Sequence, residues 1–176
     1  MKKVKVATVW FDGCSGCHMS LLDMDAAVIS LAQKIDLVYG PLVDAQEFPH
    51  GVDVTLVEGA ISSQEDLHRI QQIRQRTTLL VALGDCALTG NVPAMRNGIP
   101  VQQLLQRVYV DGADEGNVVP TEGVPPLLRT ARPVREFVEV DLALPGCPPP
   151  AKSIAAVIHA LLEGKKPEVP ATAKFG

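Results

Sequence analysis

At 176 residues, with 47% hydrophobic and 4% aromatic residues and a formal charge of −4, the chain is long enough for one domain with a real core. It lacks the basic excess of a nucleic-acid binder and the composition of a disordered segment, and it does not need disulfides to fold. Its longest apolar stretches, 78–83 and 154–162, are far shorter than the roughly 20 residues of a membrane helix.

In chain order, residues 5–11 alternate as a first strand, and 12–16 form the loop after it. The N-terminal MKKVKVATVWFDGCSGC reaches Cys14 before any cleavage-site pattern, so it reads as uncleaved and cytoplasmic. Residues 19–33 carry Leu21, Leu22, Ala26, Ile29 and Ala32 at helical spacing. A second strand is expected over 35–43 and a third over 52–57. Residues 63–76 predict a helix with Leu67, Ile70 and Ile73 inward and Ser62 or Ser63 as its N-cap; 78–83 is a fourth strand. Loop and short helix follow over 85–100. Residues 107–133, rich in proline, glycine and acidic residues, show no periodicity and are not expected in the core. A late strand over 137–142 and a last helix over 153–162, stopped by Gly164, complete the pattern.

Short apolar runs alternating with helical patterns predict an α/β fold: an open parallel sheet with helices on both faces. One domain is expected over 1–163, followed by a polar tail over 164–176.

All four cysteines follow predicted strands: Cys14 and Cys17 the first, Cys86 the fourth, Cys147 the late one. Loops leaving the carboxyl ends of parallel strands gather on one edge of the sheet, where ligands bind. Glycine flanks every site: Gly13-Cys14-Ser15-Gly16-Cys17, Gly84-Asp85-Cys86 and Pro145-Gly146-Cys147-Pro148. Glycine lets backbone approach a bulky group closely. Taken alone, C-x-x-C fits zinc, a redox dithiol or an iron–sulfur cluster. Structural zinc favours two close pairs, whereas here one pair is joined by single cysteines about 70 and 130 residues further on. Cys14 to His18 also matches C-x-x-C-H, the c-type haem attachment pattern, which would leave Cys86 and Cys147 idle. Free buried thiols are the remaining alternative.

Asp12-Gly13-Cys14-Ser15-Gly16-Cys17, Val57-Glu58-Gly59-Ala60-Ile61, Gly84-Asp85-Cys86-Ala87 and Leu144-Pro145-Gly146-Cys147-Pro148-Pro149 together resemble the cluster-binding core of [NiFe]-hydrogenase small subunits. The resemblance runs in the family's order from about residue 4 to about residue 163. It implies a flavodoxin-like fold and one [4Fe-4S] cluster on Cys14, Cys17, Cys86 and Cys147, beside a nickel–iron centre held by a separate large subunit. Neither the cysteine-rich C-terminal region of longer members nor a twin-arginine leader is found in the sequence. The resemblance is therefore to the short small subunit of cytoplasmic NAD-reducing hydrogenases, whose diaphorase subunits carry flavin and further clusters. Electron relay is the implied function, with no hydrogenase activity in this chain alone.

A deazaflavin- or heterodisulfide-reducing partner is an alternative acceptor, and a zinc-stabilised binding module an alternative of another class. A relation to the cluster-carrying subunit of respiratory complex I is disfavoured, because that family uses adjacent cysteines and none occur here. Glu58, at the end of the third strand, is a candidate proton relay or interface residue, with a loop cap or an arginine pair as its structural alternatives. Asp12, Ser15 and Asp85 are expected to shape turns, and His18 to lie near the cluster. Arg96 and Asn97 are interface candidates, and 107–133 and the tail partner-docking segments. The fold also leaves room for FMN, although the cysteines occupy the loops a flavin phosphate would use.

Overall fold

The structure, a computed structural model, describes residues 3–165 and 167–176. Five parallel strands form the main sheet in the order β2-β1-β3-β5-β7: β1 Val4–Trp10, β2 Ile35–Tyr39, β3 Val52–Glu58, β5 Thr77–Leu83 and β7 Leu142–Leu144. Counted within the sheet this is 2-1-3-4-5, the flavodoxin-like order, with the chain reversing its direction of travel between β1 and β3. Strands buried on both faces read as near-continuous apolar runs. In β5, Leu80 and Ala82 enter one core while Val81 and Leu83 enter the other.

Helix α3 (Gln64–Arg76) covers the first face with Ile70 and Ile73. It starts at Ser63, whose side chain accepts from Asp66 N while Asp66 accepts from Ser63 N, a capping box that satisfies two otherwise orphaned donors. Helices α1 (Gly16–Leu22), α2 (Ala26–Ala32) and α7 (Ala151–Leu162) cover the second face through Leu31, Ile154, Val157 and Ile158. Three short helices follow β5: α4 (Gly84–Thr89), α5 (Asn91–Ala94) and α6 (Val101–Gln106). Among the described residues, no helix is long and apolar enough to cross a membrane.

Several boundaries differ from expectation for identifiable reasons. The helix expected over 19–33 is broken between α1 and α2, where Asp25 takes φ 50° and Met24 packs into the second core. β2 stops at Tyr39, since Gly40-Pro41 follows and Pro41 has no N–H to donate. The late strand begins at Leu142 rather than 137. One level earlier, Leu80 N donates to the Asp141 carboxylate, which stands where a strand carbonyl would, and Arg74 fixes that carboxylate at 2.6 Å. Segment 107–133 is not wholly irregular. It ends in β6 (Leu127–Arg132), antiparallel to β4 (Ile61–Ser63), and buries Ala131. Within the tail, Ala173 packs into the second core, and Thr172 Oγ1 lies 2.8 Å from Ser153 Oγ.

Candidate functional site

Strand register lines up one row across the carboxyl edge of the sheet: Trp10 beside Glu58, Glu58 beside Leu83, Leu83 beside Leu144. Neighbouring strands lie about 4.8 Å apart. Just beyond this row come Cys14, then Cys17 in the first turn of α1, Cys86 in α4, and Cys147 after β7. The four sequence-predicted cysteines therefore share one edge. All are free thiols; Cys17 is buried, Cys86 half-buried, and Cys14 and Cys147 exposed.

Their loops are joined directly. Asp85 N donates to Gly146 O at 2.9 Å and Gly146 N to Asp85 Oδ1 at 2.7 Å, which ties the Cys86 loop to the Cys147 loop. Ser20 Oγ donates to Pro149 O at 2.6 Å, tying α1 to the same place. A Cβ on Gly84, whose φ is +81°, would lie 2.3 Å from Cys17 Sγ, so the β5 loop reaches the Cys17 sulfur only because this residue is glycine. Gly59, at φ +94°, plays a similar part on the other side, where a Cβ would meet Asp12 O at 2.7 Å.

Electrostatics record the same convergence. Burial first, and then the charges of Glu58, Cys86, Cys14 and Cys147, push the Cys17 thiol far above its ordinary range. Burial likewise raises Cys86, opposed by a hydrogen bond from the Val92 backbone and reinforced by Cys147, Cys14 and Glu58. Such a gathering of groups that become negative on losing their protons favours a positively charged guest. Four-coordinate zinc would hold its sulfurs about 2.3 Å from a single point. Among the described residues, no three His, Cys, Asp or Glu side chains are grouped to hold one metal ion. Four thiols on one sheet edge, with Gly84 against the Cys17 sulfur and Gly16 beside Cys14, fit a polynuclear iron–sulfur group.

Glu58 is 2% exposed, and donors from the Cys17 turn converge on it. Cys17 N donates to Oε1 at 3.3 Å and His18 N to Oε2 at 2.9 Å, while His18 Nδ1 pairs with Oε2. No arginine or lysine pairs with it among the described residues. His18 Nε2 is buried with no hydrogen-bond partner, a requirement that no described protein atom meets. Asp12 shapes its loop as expected, bonding Ser62 Oγ and exchanging backbone bonds with Ala60. Arg96, half-buried, and Asn97, exposed, both bond the backbone of β4 or β6. Arg96 donates to the carbonyls of Ser62, Leu128 and Arg129, and Asn97 bonds both polar groups of the Ala131 backbone. Sequence reasoning missed Asn91, whose Nδ2 donates to Cys147 Sγ at 3.4 Å; its only signal is an Asn after Gly90.

Residues 14–161 match the family model described as NADH ubiquinone oxidoreductase, 20 Kd subunit. Adjacent cysteines are thus no requirement for that kinship, and the expectation that set it aside is corrected. The chain is 40% identical over 169 residues to a vhu subunit of the F420-non-reducing hydrogenase of Methanocaldococcus jannaschii, covering 95% of this chain and 59% of that protein. It is 34% identical over 175 residues to NAD-reducing hydrogenase HoxS subunit delta of Cupriavidus necator, covering 97% and 84%. A chain in the crystal structure of NAD+-reducing [NiFe]-hydrogenase in the H2-reduced state superposes with a TM-score of 0.93 at 35% identity, covering 98% of each. The chain spans 59% of the length of the Methanocaldococcus relative.

Proposed function

We propose, from the premise that this chain belongs to the family of NADH ubiquinone oxidoreductase 20 Kd subunits and [NiFe]-hydrogenase small subunits, that it relays electrons for a cytoplasmic NAD-reducing hydrogenase. Cys14, Cys17, Cys86 and Cys147 would hold one [4Fe-4S] cluster. When bound, that cluster supplies a one-electron site between the nickel–iron centre of a large subunit and the clusters and flavin of diaphorase subunits, for H2 + NAD+ = NADH + H+. The observation that carries the reading is the meeting of four thiols from three separated loops on one sheet edge, with Gly84 against the Cys17 sulfur.

The chain's own residues hold and shield the site. Glu58 pins the amides of Cys17 and His18, so we assign it to positioning, with His18 as the group through which any proton relay would continue. Asn91 offers an N–H to the Cys147 sulfur, and burial of Cys17 keeps water from that ligand. Exposed Cys14 and Cys147 leave one side for a partner to cover, and the apolar side chains of Val92, Met95, Val108 and Tyr109 provide docking surface nearby in sequence. The likeness to the vhu subunit favours a second reading, in which the electrons go to an acceptor other than NAD.

Anaerobic purification of the complex from its host tests this. About four irons per copy of this chain beyond those its partner subunits carry, lost in Cys147→Ser, and hydrogen-dependent NAD reduction are the expected results. Viologen reduction without NAD reduction would point to the second acceptor, and flavin copurifying with this chain alone would assign FMN to it. A colourless, zinc-containing chain, or full iron in all four single Cys→Ser variants, would overturn the assignment.

A further inference from the structure

Asp85 is 4% exposed and immediately precedes Cys86. Both carboxylate oxygens are engaged by backbone: Oδ1 accepts from Gly146 N at 2.7 Å, and Oδ2 from Gly176 N at 2.8 Å. With the Asp85 N to Gly146 O bond, two bonds pair Asp85 with Gly146, and the next residue in each loop is a cysteine. Gly176 brings in a third segment; a Cβ on it would lie 3.1 Å from Cys147 Cβ. That segment is itself anchored by Ala173 in the core and by Thr172 on Ser153. Asp85 has no cationic partner among the described residues.

A neutral acceptor, such as a hydroxyl or an amide oxygen, could receive the Gly146 amide without burying a charge, and an uncompensated buried charge is costly to keep. Here the charge adjoins Cys86 in the chain and is bonded to the residue before Cys147, where it opposes the arrival of any further negative charge. We propose that Asp85 is a positioning residue that also acts electrostatically, locking Cys86 and Cys147 in mutual register and lowering the reduction potential of the group the four cysteines hold. The inference rests on the cluster reading above and goes beyond it by naming what sets the potential.

The test uses the complex purified anaerobically from its host, wild type against Asp85→Asn and Asp85→Ala. Iron per chain is measured, with an electron paramagnetic resonance titration of the cluster using dithionite and mediators. Asp85→Asn keeps an acceptor for Gly146 N, gives up the one for Gly176 N, and loses the charge. Its iron should be retained, and its ratio of reduced to oxidised cluster at a fixed potential should rise about tenfold, a midpoint about 59 mV more positive. Asp85→Ala removes the acceptor as well and should lose at least half of the four irons assigned to this chain. An unshifted midpoint in iron-replete Asp85→Asn, or full iron with an unchanged line shape in Asp85→Ala, overturns the proposal. Should Asp85→Asn hold too little iron to titrate, Asp85→Glu decides. Iron retained there alone supports a need for the charge, and equal loss in both refutes it. Wild-type protein without iron would overturn the cluster reading together with this one, whereas an unshifted midpoint leaves the cluster reading standing.

Discussion

Replacing Gly84 with alanine separates two effects that usually arrive together, backbone strain and steric conflict. Its φ of +81° lies in the left-handed region, where a side chain costs about 1–2 kcal/mol. The smaller entropy of the unfolded alanine chain offsets about 0.4–1 kcal/mol of that. The new Cβ would also stand 2.3 Å from Cys17 Sγ and 3.3 Å from Gly146 O, so the sulfur must retreat by about 1 Å to regain ordinary contact. Gly51 is the control, since its φ is +67° and a Cβ there meets nothing within 4 Å. Urea unfolding of the iron-free chains reads the strain; iron per chain after anaerobic reconstitution reads the geometry. Gly51→Ala should lose about 0.5–1 kcal/mol and bind iron normally. Gly84→Ala should lose at least as much stability and bind less than half of the iron. Full iron in Gly84→Ala would refute the claim that the β5 loop and the Cys17 sulfur form one packed site.

Three further outcomes follow from the same structure. Folded Cys17 keeps its proton to higher pH than an unfolded thiol, whose pKa is about 8.5, so above that pH the unfolded chain binds fewer protons than the folded one. The iron-free chain should therefore lose stability as pH rises from about 8 to 10, by at most about 1.4 kcal/mol per pH unit from this thiol. Cys86 adds in the same direction, and Cys17→Ser should remove most of the slope in urea titrations. Iron binding, which needs thiolates, should strengthen over the same range. Glu58→Gln exchanges a carboxylate for an amide that meets the Cys17 and His18 donors with one oxygen only. A loss of about 1.5–3 kcal/mol is expected, and an unfolding midpoint equal to wild type would show that these contacts do not hold the turn. Asp141→Ala leaves Leu80 N without its acceptor and Arg74 with only the carbonyls of Thr77, Thr78 and Glu139. It should cost about 1–3 kcal/mol, read by thermal or urea unfolding, with iron content unchanged.

The layered α/β fold was legible because parallel strands buried on both faces leave uninterrupted apolar runs, as in β3 and β5, and because Ser63 with Asp66 marks the start of α3. Elements held by long-range pairing were not legible. β6 carries Arg129 and Arg132, and its partner β4 is three residues long and more than 60 residues away, so neither shows a local pattern. The late strand was misplaced because Phe137, Val138 and Val140 are apolar for packing against the first core rather than for joining the sheet. The cysteines stood out because thiols flanked by glycine have few uses. Asp85 and Asn91 did not, because their partners are a backbone amide and a sulfur, and an acidic or amide residue in a loop also reads as an ordinary turn former.

Glu58 shows how topology assigns a role that spacing alone cannot. In the order β2-β1-β3-β5-β7, β3 lies between the strand that delivers Cys14 and Cys17 and the strand that delivers Cys86, yet it brings no cysteine of its own. A central strand without a ligand leaves its last side chain beneath the loops on either side, cut off from water and facing the amides at the start of α1. Those amides need acceptors, since the first N–H groups of a helix have no partner within it. Glu58 supplies both oxygens to Cys17 N and His18 N. The buried carboxylate is therefore a consequence of building one site from loops on non-adjacent strands, and its burial follows from its place in the sheet before any role in proton transfer is invoked.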